Sequence, residues 1–129
     1  MAQIAEPVWI ETELALAIHD RQLAEHGGPI GVRDASTLES ALGRPRNQWA
    51  YGETDLCQLA AAYAYGVARN HPFTDGNKRT AWMLARLFLA LNDVQIGFAP
   101  EQAINMVLAL ASGSLTEAEV AVWFRERLS

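Results

Sequence analysis

His71, Asp75, Lys78 and Arg79 fall in one polar, turn-rich segment, Arg69-Asn70-His71-Pro72-Phe73-Thr74-Asp75-Gly76-Asn77-Lys78-Arg79-Thr80. Imidazole is the side chain best suited to take a proton from an attacking hydroxyl near neutral pH, so His71 is the candidate general base. Asp75 supplies a hard oxygen ligand beside a phosphate site, the usual way a protein holds Mg²⁺ against nucleotide phosphates. Backbone N–H groups around Gly76 and Asn77, with the Asn77 side chain, suit an anion hole, and Lys78 and Arg79 would neutralise a transferring group. Arg69 is expected to assist from the other flank. Phe73 can enter the core while His71 and Asp75 face outward, so that one aromatic anchor fixes two polar groups.

Pro72 biases His71 toward an extended backbone, and Gly76-Asn77 tolerates unusual dihedrals just before the run Ala81 to Leu91 becomes helical. The segment therefore reads as a loop feeding a helix N-terminus, where unpaired N–H groups and about half a positive charge favour an anion. Upstream, Asp55 can cap a helix carrying Leu56, Leu59, Ala60, Tyr63 and Val67 at helical spacing up to Arg69. Downstream, Leu84, Leu87, Phe88 and Leu91 form a second stripe, and Trp82, Met83, Ala85, Leu89 and Ala90 make that helix apolar nearly all round. Such a helix is predicted to be central and buried.

The remaining elements follow from period and caps. Val8 to Glu25 is predicted as a first helix with Ile10, Leu14 and Ile18 on its apolar stripe, stopped by Gly27-Gly28-Pro29. His19 on it is expected to be a packed or hydrogen-bonded histidine, and His26 a residue that complements the helix C-terminus. Ser36-Thr37-Leu38-Glu39 reads as a capping box for a short helix to about Leu42, ended by Gly43-Arg44-Pro45. From Arg44 to Thr54 no period is evident; Trp49 and Tyr51 there could serve a mobile cover or docking edge, or pack on the core. Pro100 starts a helix with Ile104, Val107, Leu108 and Ala111, after a short Val94 to Ala99 link with some strand propensity. Thr116 with Glu119 opens a last helix carrying Val120, Trp123, Phe124 and Leu128. The expected fold is an all-α bundle of about six helices around the Thr80 to Leu91 helix.

The segment His71 to Arg79 resembles the signature of the Fic/Doc (Fido) superfamily, His-Pro-Phe-x-Asp/Glu-Gly/Ala-Asn-Gly/Lys-Arg, with every fixed position filled. Ile18-His19-Asp20, Gly27-Gly28, Val32-Arg33-Asp34 and Asn92 extend the likeness over essentially the whole chain, toward the Doc (death-on-curing) branch. His71 and Asp75 alone would more readily describe a cap or an ion pair; the nine-residue match reverses that reading. The resemblance implies one Fido domain over residues 1–129, and a toxin of a bacterial toxin–antitoxin pair. It also implies a partner resembling the Phd antitoxin and arrest of translation by phosphorylating elongation factor Tu on a threonine, with ATP as co-substrate and Mg²⁺. Relatives that transfer AMP generally carry glycine where this chain has Lys78, so a kinase is favoured over an adenylyltransferase. A mainly non-catalytic partner and corepressor of a DNA-binding antitoxin is a further alternative. Self-restrained relatives carry Ser/Thr-x-x-x-Glu-Gly/Asn; this sequence has no Ser or Thr followed four residues later by Glu. The inhibitor is therefore expected from outside, as an antitoxin C-terminal segment that folds on the toxin.

Composition narrows the alternatives. The 129 residues are 50% hydrophobic and 19% charged with a net charge of −5, enough for one sizeable core. Basic residues gather only around the motif, as Arg69, Lys78, Arg79 and Arg86, which argues against direct nucleic-acid binding and for a small anionic ligand. One cysteine, Cys57, excludes an internal disulfide and a cysteine metal cage; it is expected to be an inert, part-buried thiol. No leader pattern and no run of eighteen apolar residues is present, so no membrane association and a cytoplasmic location are expected.

Overall fold

A computed structural model describes residues 5–29 and 31–129; residues 1–4 and 30, counted in the expected domain, lie outside it. Six helices form: α1 (Thr12–His26), α2 (Ala35–Ala50), α3 (Leu56–Asn70), α4 (Asn77–Leu91), α5 (Pro100–Ser112) and α6 (Glu117–Arg125). The architecture is all-helical. Extended pairing among the described residues is limited to two isolated antiparallel bridges, Val32 with Phe73 and Ile96 with Leu128. None of these helices is long and apolar enough to cross a membrane.

The centre of the bundle is α3, which packs against α2, α4, α5 and α6. Ten of its fifteen residues are buried, and six of those ten are alanine or glycine, so neighbouring helices can approach closely. The expected central helix, α4, instead lies against α3, α1 and α5 and leaves Lys78, Arg79 and Arg86 exposed. Small residues decide the difference, because close backbone approach favours the helix with the fewest bulky side chains. Cys57 is buried near the start of α3.

Three local readings are corrected. In α1 the helix begins at Thr12, and its buried face is Ala15, His19, Gln22 and Leu23, while Leu14 is exposed. Ile10 is buried ahead of the helix and donates its N–H to the Tyr63 hydroxyl at 3.0 Å. In α2 the cap is Asp34, whose carboxylate accepts from the N–H groups of Ser36 and Thr37, in place of the Ser36–Glu39 box. The helix then runs through Pro45 to Ala50 where a loop was expected from Arg44 to Thr54.

Proline removes one helical donor, a cost of about 3 kcal/mol in a helix interior, so the second half of α2 must be held from outside. Arg44 meets Glu117 on α6 at 2.6 Å, Gln48 donates to the same carboxylate at 3.0 Å, and Trp49 packs edge-on against Trp9. Trp49 thus belongs to the core periphery, and Tyr51 alone is left fully outside. The other caps match expectation: Asp55 accepts from the Cys57 N–H, Pro100 opens α5, and Thr116 and Glu119 form a reciprocal box.

Candidate active site

The motif joins the end of α3 to the first turn of α4. His71 is the C-cap of α3 and takes a left-handed conformation, φ 51° and ψ 59°, not the extended one that Pro72 predicts. Histidine is among the non-glycine residues that enter this region most readily, but a residue before proline needs outside support. Arg33 provides it, donating from Nε to the His71 carbonyl at 2.7 Å and from Nη2 to the Asn70 carbonyl at 2.9 Å. The guanidinium thereby closes the electronegative end of α3. The backbone of Arg33 and Asp34 also donates to the Pro72 carbonyl, and Thr74 donates to Gly31.

Phe73 is fully buried. Its N–H donates to Asn77 Oδ1 at 2.9 Å, and its carbonyl accepts from Asn77 Nδ2 at 3.0 Å. Both polar ends of the Asn77 carboxamide are engaged, so this side chain closes the turn, and its second amide hydrogen is what it can still offer an anion in the cavity that it lines. From α1, buried His19 stacks on Phe73 with ring centroids 3.7 Å apart and donates from Nε2 to the Asp75 carbonyl at 2.7 Å. The packed, hydrogen-bonded histidine expected there therefore sits directly under the motif.

Gly76 is the N-cap of α4 at φ 76°, and no side chain caps the helix. Its first-turn N–H groups are left for water or an anion. They border a cavity of about 830 Å³ whose wall brings together His71, Asp75, Gly76, Asn77, Lys78 and Arg79. Arg69 is the exception among the predicted phosphate ligands. Its guanidinium lies over the Tyr65 ring at 5.5 Å and beside Gly113, at the end of α5, outside the cavity wall. Two residues before His71, about half a helical turn, it projects from another face of α3.

Electrostatics concentrate at this cavity. Arg21, Arg44, Arg46 and Arg125 are ion-paired with carboxylates. Among the described residues, Lys78, Arg79 and Arg86, which line the cavity, make no such pair. Three such cations in a chain of net charge −5 give the cavity a local positive charge that suits an anion. Among the described residues, no group of three or more His, Cys, Asp or Glu could hold a metal. Asp75 as the one carboxylate on the wall fits Mg²⁺, which keeps its waters and is bound through one or two carboxylates plus substrate phosphates. The cavity wall also carries an apolar part, formed by Trp82, Phe98, Ile104, Val107 and Leu108.

Residues 9–89 match the Fic/DOC family. The chain belongs to this family. Among its relatives is the protein named protein kinase doc of Escherichia phage P1, 39% identical over 113 residues, covering 87% of this chain and 89% of the relative. The protein named toxin Doc of Mycolicibacterium smegmatis is 45% identical over 73 residues, 54% of this chain and 55% of the relative. Both matches agree with the Doc-like resemblance of the sequence. His19 and Arg33, which hold this family motif from outside, and Gly28, whose missing side chain leaves room for the Asp75 carboxylate, carry no local signal of their role. They appear in the sequence only within the outlying matches Ile18-His19-Asp20, Val32-Arg33-Asp34 and Gly27-Gly28.

Proposed function

We propose that this chain is a Doc-type toxin that acts as a protein kinase, using Mg²⁺ and ATP to phosphorylate a threonine of elongation factor Tu in the cytoplasm. The observation that carries the reading is Lys78 beside Arg79 at the uncapped N-terminus of α4, with His71 on the wall of the same cavity. A lysine at this position fills space that the outer phosphates of ATP need for AMP transfer and places a cation there for the transferring group. The phage P1 relative, named a protein kinase, supports the same choice.

His71 accepts the proton of the target hydroxyl as its oxygen attacks the γ-phosphorus. The bond from that phosphorus to the β,γ-bridging oxygen breaks, and ADP leaves. Lys78, Arg79 and the first N–H groups of α4 stabilise the charge that develops on the transferring oxygens. When bound through Asp75, Mg²⁺ supplies further positive charge to the phosphates.

The apolar wall suits a partner. Ile104 and Leu108 are 59% and 49% exposed, unusual for large aliphatic side chains at a cavity, and match the apolar face of a helix. We assign them to a Phd-like antitoxin whose C-terminal segment orders on binding.

Incubation with elongation factor Tu and ATP labelled at either the α- or the γ-phosphate tests the reaction. Label transferred from γ alone is the expected result. Transfer from α would establish AMP transfer instead, and no transfer from either would leave the binding and corepressor role.

A further inference from the structure

We propose that His19 and Gly28 form a cradle that positions Asp75, making His19 a positioning residue for the metal-binding carboxylate rather than a packing residue alone. This rests on the reading of Asp75 as the Mg²⁺ ligand. His19 is 1% exposed, yet among the described residues its side chain bonds to the backbone of the motif, from Nε2 to the Asp75 carbonyl at 2.7 Å. Its ring lies nearly parallel to Phe73, 8° between planes, so the same side chain fixes both the anchor and the carbonyl two residues on. A donor at the carbonyl sets the peptide plane of Asp75, and with it the direction in which the side chain leaves the backbone.

The carboxylate end is governed by the turn after α1. Gly28 has φ 119°, and a Cβ built there would collide with Asp75 Oδ2. The absent side chain is therefore the clearance in which the carboxylate rests. Leu23 lies beside both Gly28 and Gly76, closing the cradle from below. His19, Leu23 and Gly28 all belong to α1 and the turn that ends it, so one element holds the ligand that another presents. A carboxylate that must bind Mg²⁺ with near-ideal geometry gains from such outside support.

The test measures Mn²⁺ binding by electron paramagnetic resonance in the presence of a non-hydrolysable ATP analogue, alongside analogue binding without metal. His19→Phe keeps the stack and removes the donor; it is expected to weaken Mn²⁺ binding about tenfold and leave metal-free analogue binding within about twofold. His19→Gln restores a donor and is expected to recover most of the affinity. Gly28→Ala, on an exposed turn outside the core, is expected to weaken Mn²⁺ binding as His19→Phe does, and it decides the matter if His19→Phe does not fold. Wild-type Mn²⁺ affinity in Gly28→Ala and in folded His19→Phe would overturn the cradle alone. Absence of Mn²⁺ binding by the wild type would instead overturn the assignment of Asp75 on which it rests.

Discussion

Around the turn between α3 and α4, side chains bond to backbone: Asn77 to Phe73, His19 to Asp75, and Arg33 to His71 and Asn70. The turn is thereby fixed while the side chains of His71 and Asp75, the proposed base and metal ligand, remain exposed. This separation predicts two different phenotypes. Asn77→Ala leaves a buried N–H and a buried carbonyl of Phe73 without partners, and is expected to cost about 2–4 kcal/mol of stability. Chemical denaturation would read this as a lower midpoint at an unchanged slope. His71→Ala removes no side-chain hydrogen bond among the described residues, so its stability loss is expected to be roughly 1 kcal/mol, from alanine in a left-handed conformation. Phosphoryl transfer by His71→Ala should fall by about 10²-fold or more, the usual loss for a general base. Transfer within a few-fold of wild type by the folded variant would remove His71 from that role.

Between elements, α2 and α3 come close together at Gly66. A Cβ at this position would stand 3.0 Å from both Cα and Cβ of Ala41, tighter than ordinary van der Waals contact. Gly66→Ala is favoured by helix propensity by about 1 kcal/mol, whereas forcing two helices apart costs about 1–3 kcal/mol. The expected net effect is a loss of up to about 2 kcal/mol, measured by thermal or chemical unfolding; a gain in stability would show that α2 shifts freely. The same contact explains what the sequence conceals. Caps and apolar spacing at Asp55, Pro100 and Thr116 are local signals, and those helices are legible from them. The extent of α2 is not legible, because a helix through Pro45 depends on Glu117, about seventy residues away, holding Arg44 and Gln48. Likewise α1 reads as an Ile/Leu stripe until the motif offers His19 a backbone carbonyl and an aromatic face. The motif is legible as a loop feeding the N-terminus of α4, but the left-handed His71 is not, and neither is the direction of the Arg69 side chain, which linear proximity to His71 does not give.

Across the whole molecule, cations without an ion-pair partner gather at one cavity, while the central helix buries two ionisable groups, Cys57 and Tyr63. Desolvation pushes the Cys57 thiol up to about 11, and burial likewise raises the Tyr63 phenol to about 12 against the opposing hydrogen bond from Ile10. Both groups therefore hold their protons in the folded state over a pH range in which the unfolded chain releases them. Stability contributed in this way is fully present below the ordinary thiol range and falls as pH rises, because the native state then binds more protons than the unfolded one. The thiol acts first and the phenol later, since a free thiol ionises near 8.5 and a free tyrosine near 10. The melting temperature is expected to be nearly flat from pH 7 to 8 with respect to these two groups, then to drop by several degrees by pH 11. Cys57→Ala removes the first part of that descent, so its melting curve should stay flat further into the alkaline range, even if the substitution lowers the value at pH 7. Parallel alkaline slopes for Cys57→Ala and wild type would show that the thiol ionises without cost in the fold, and that the start of α3 admits water near Cys57.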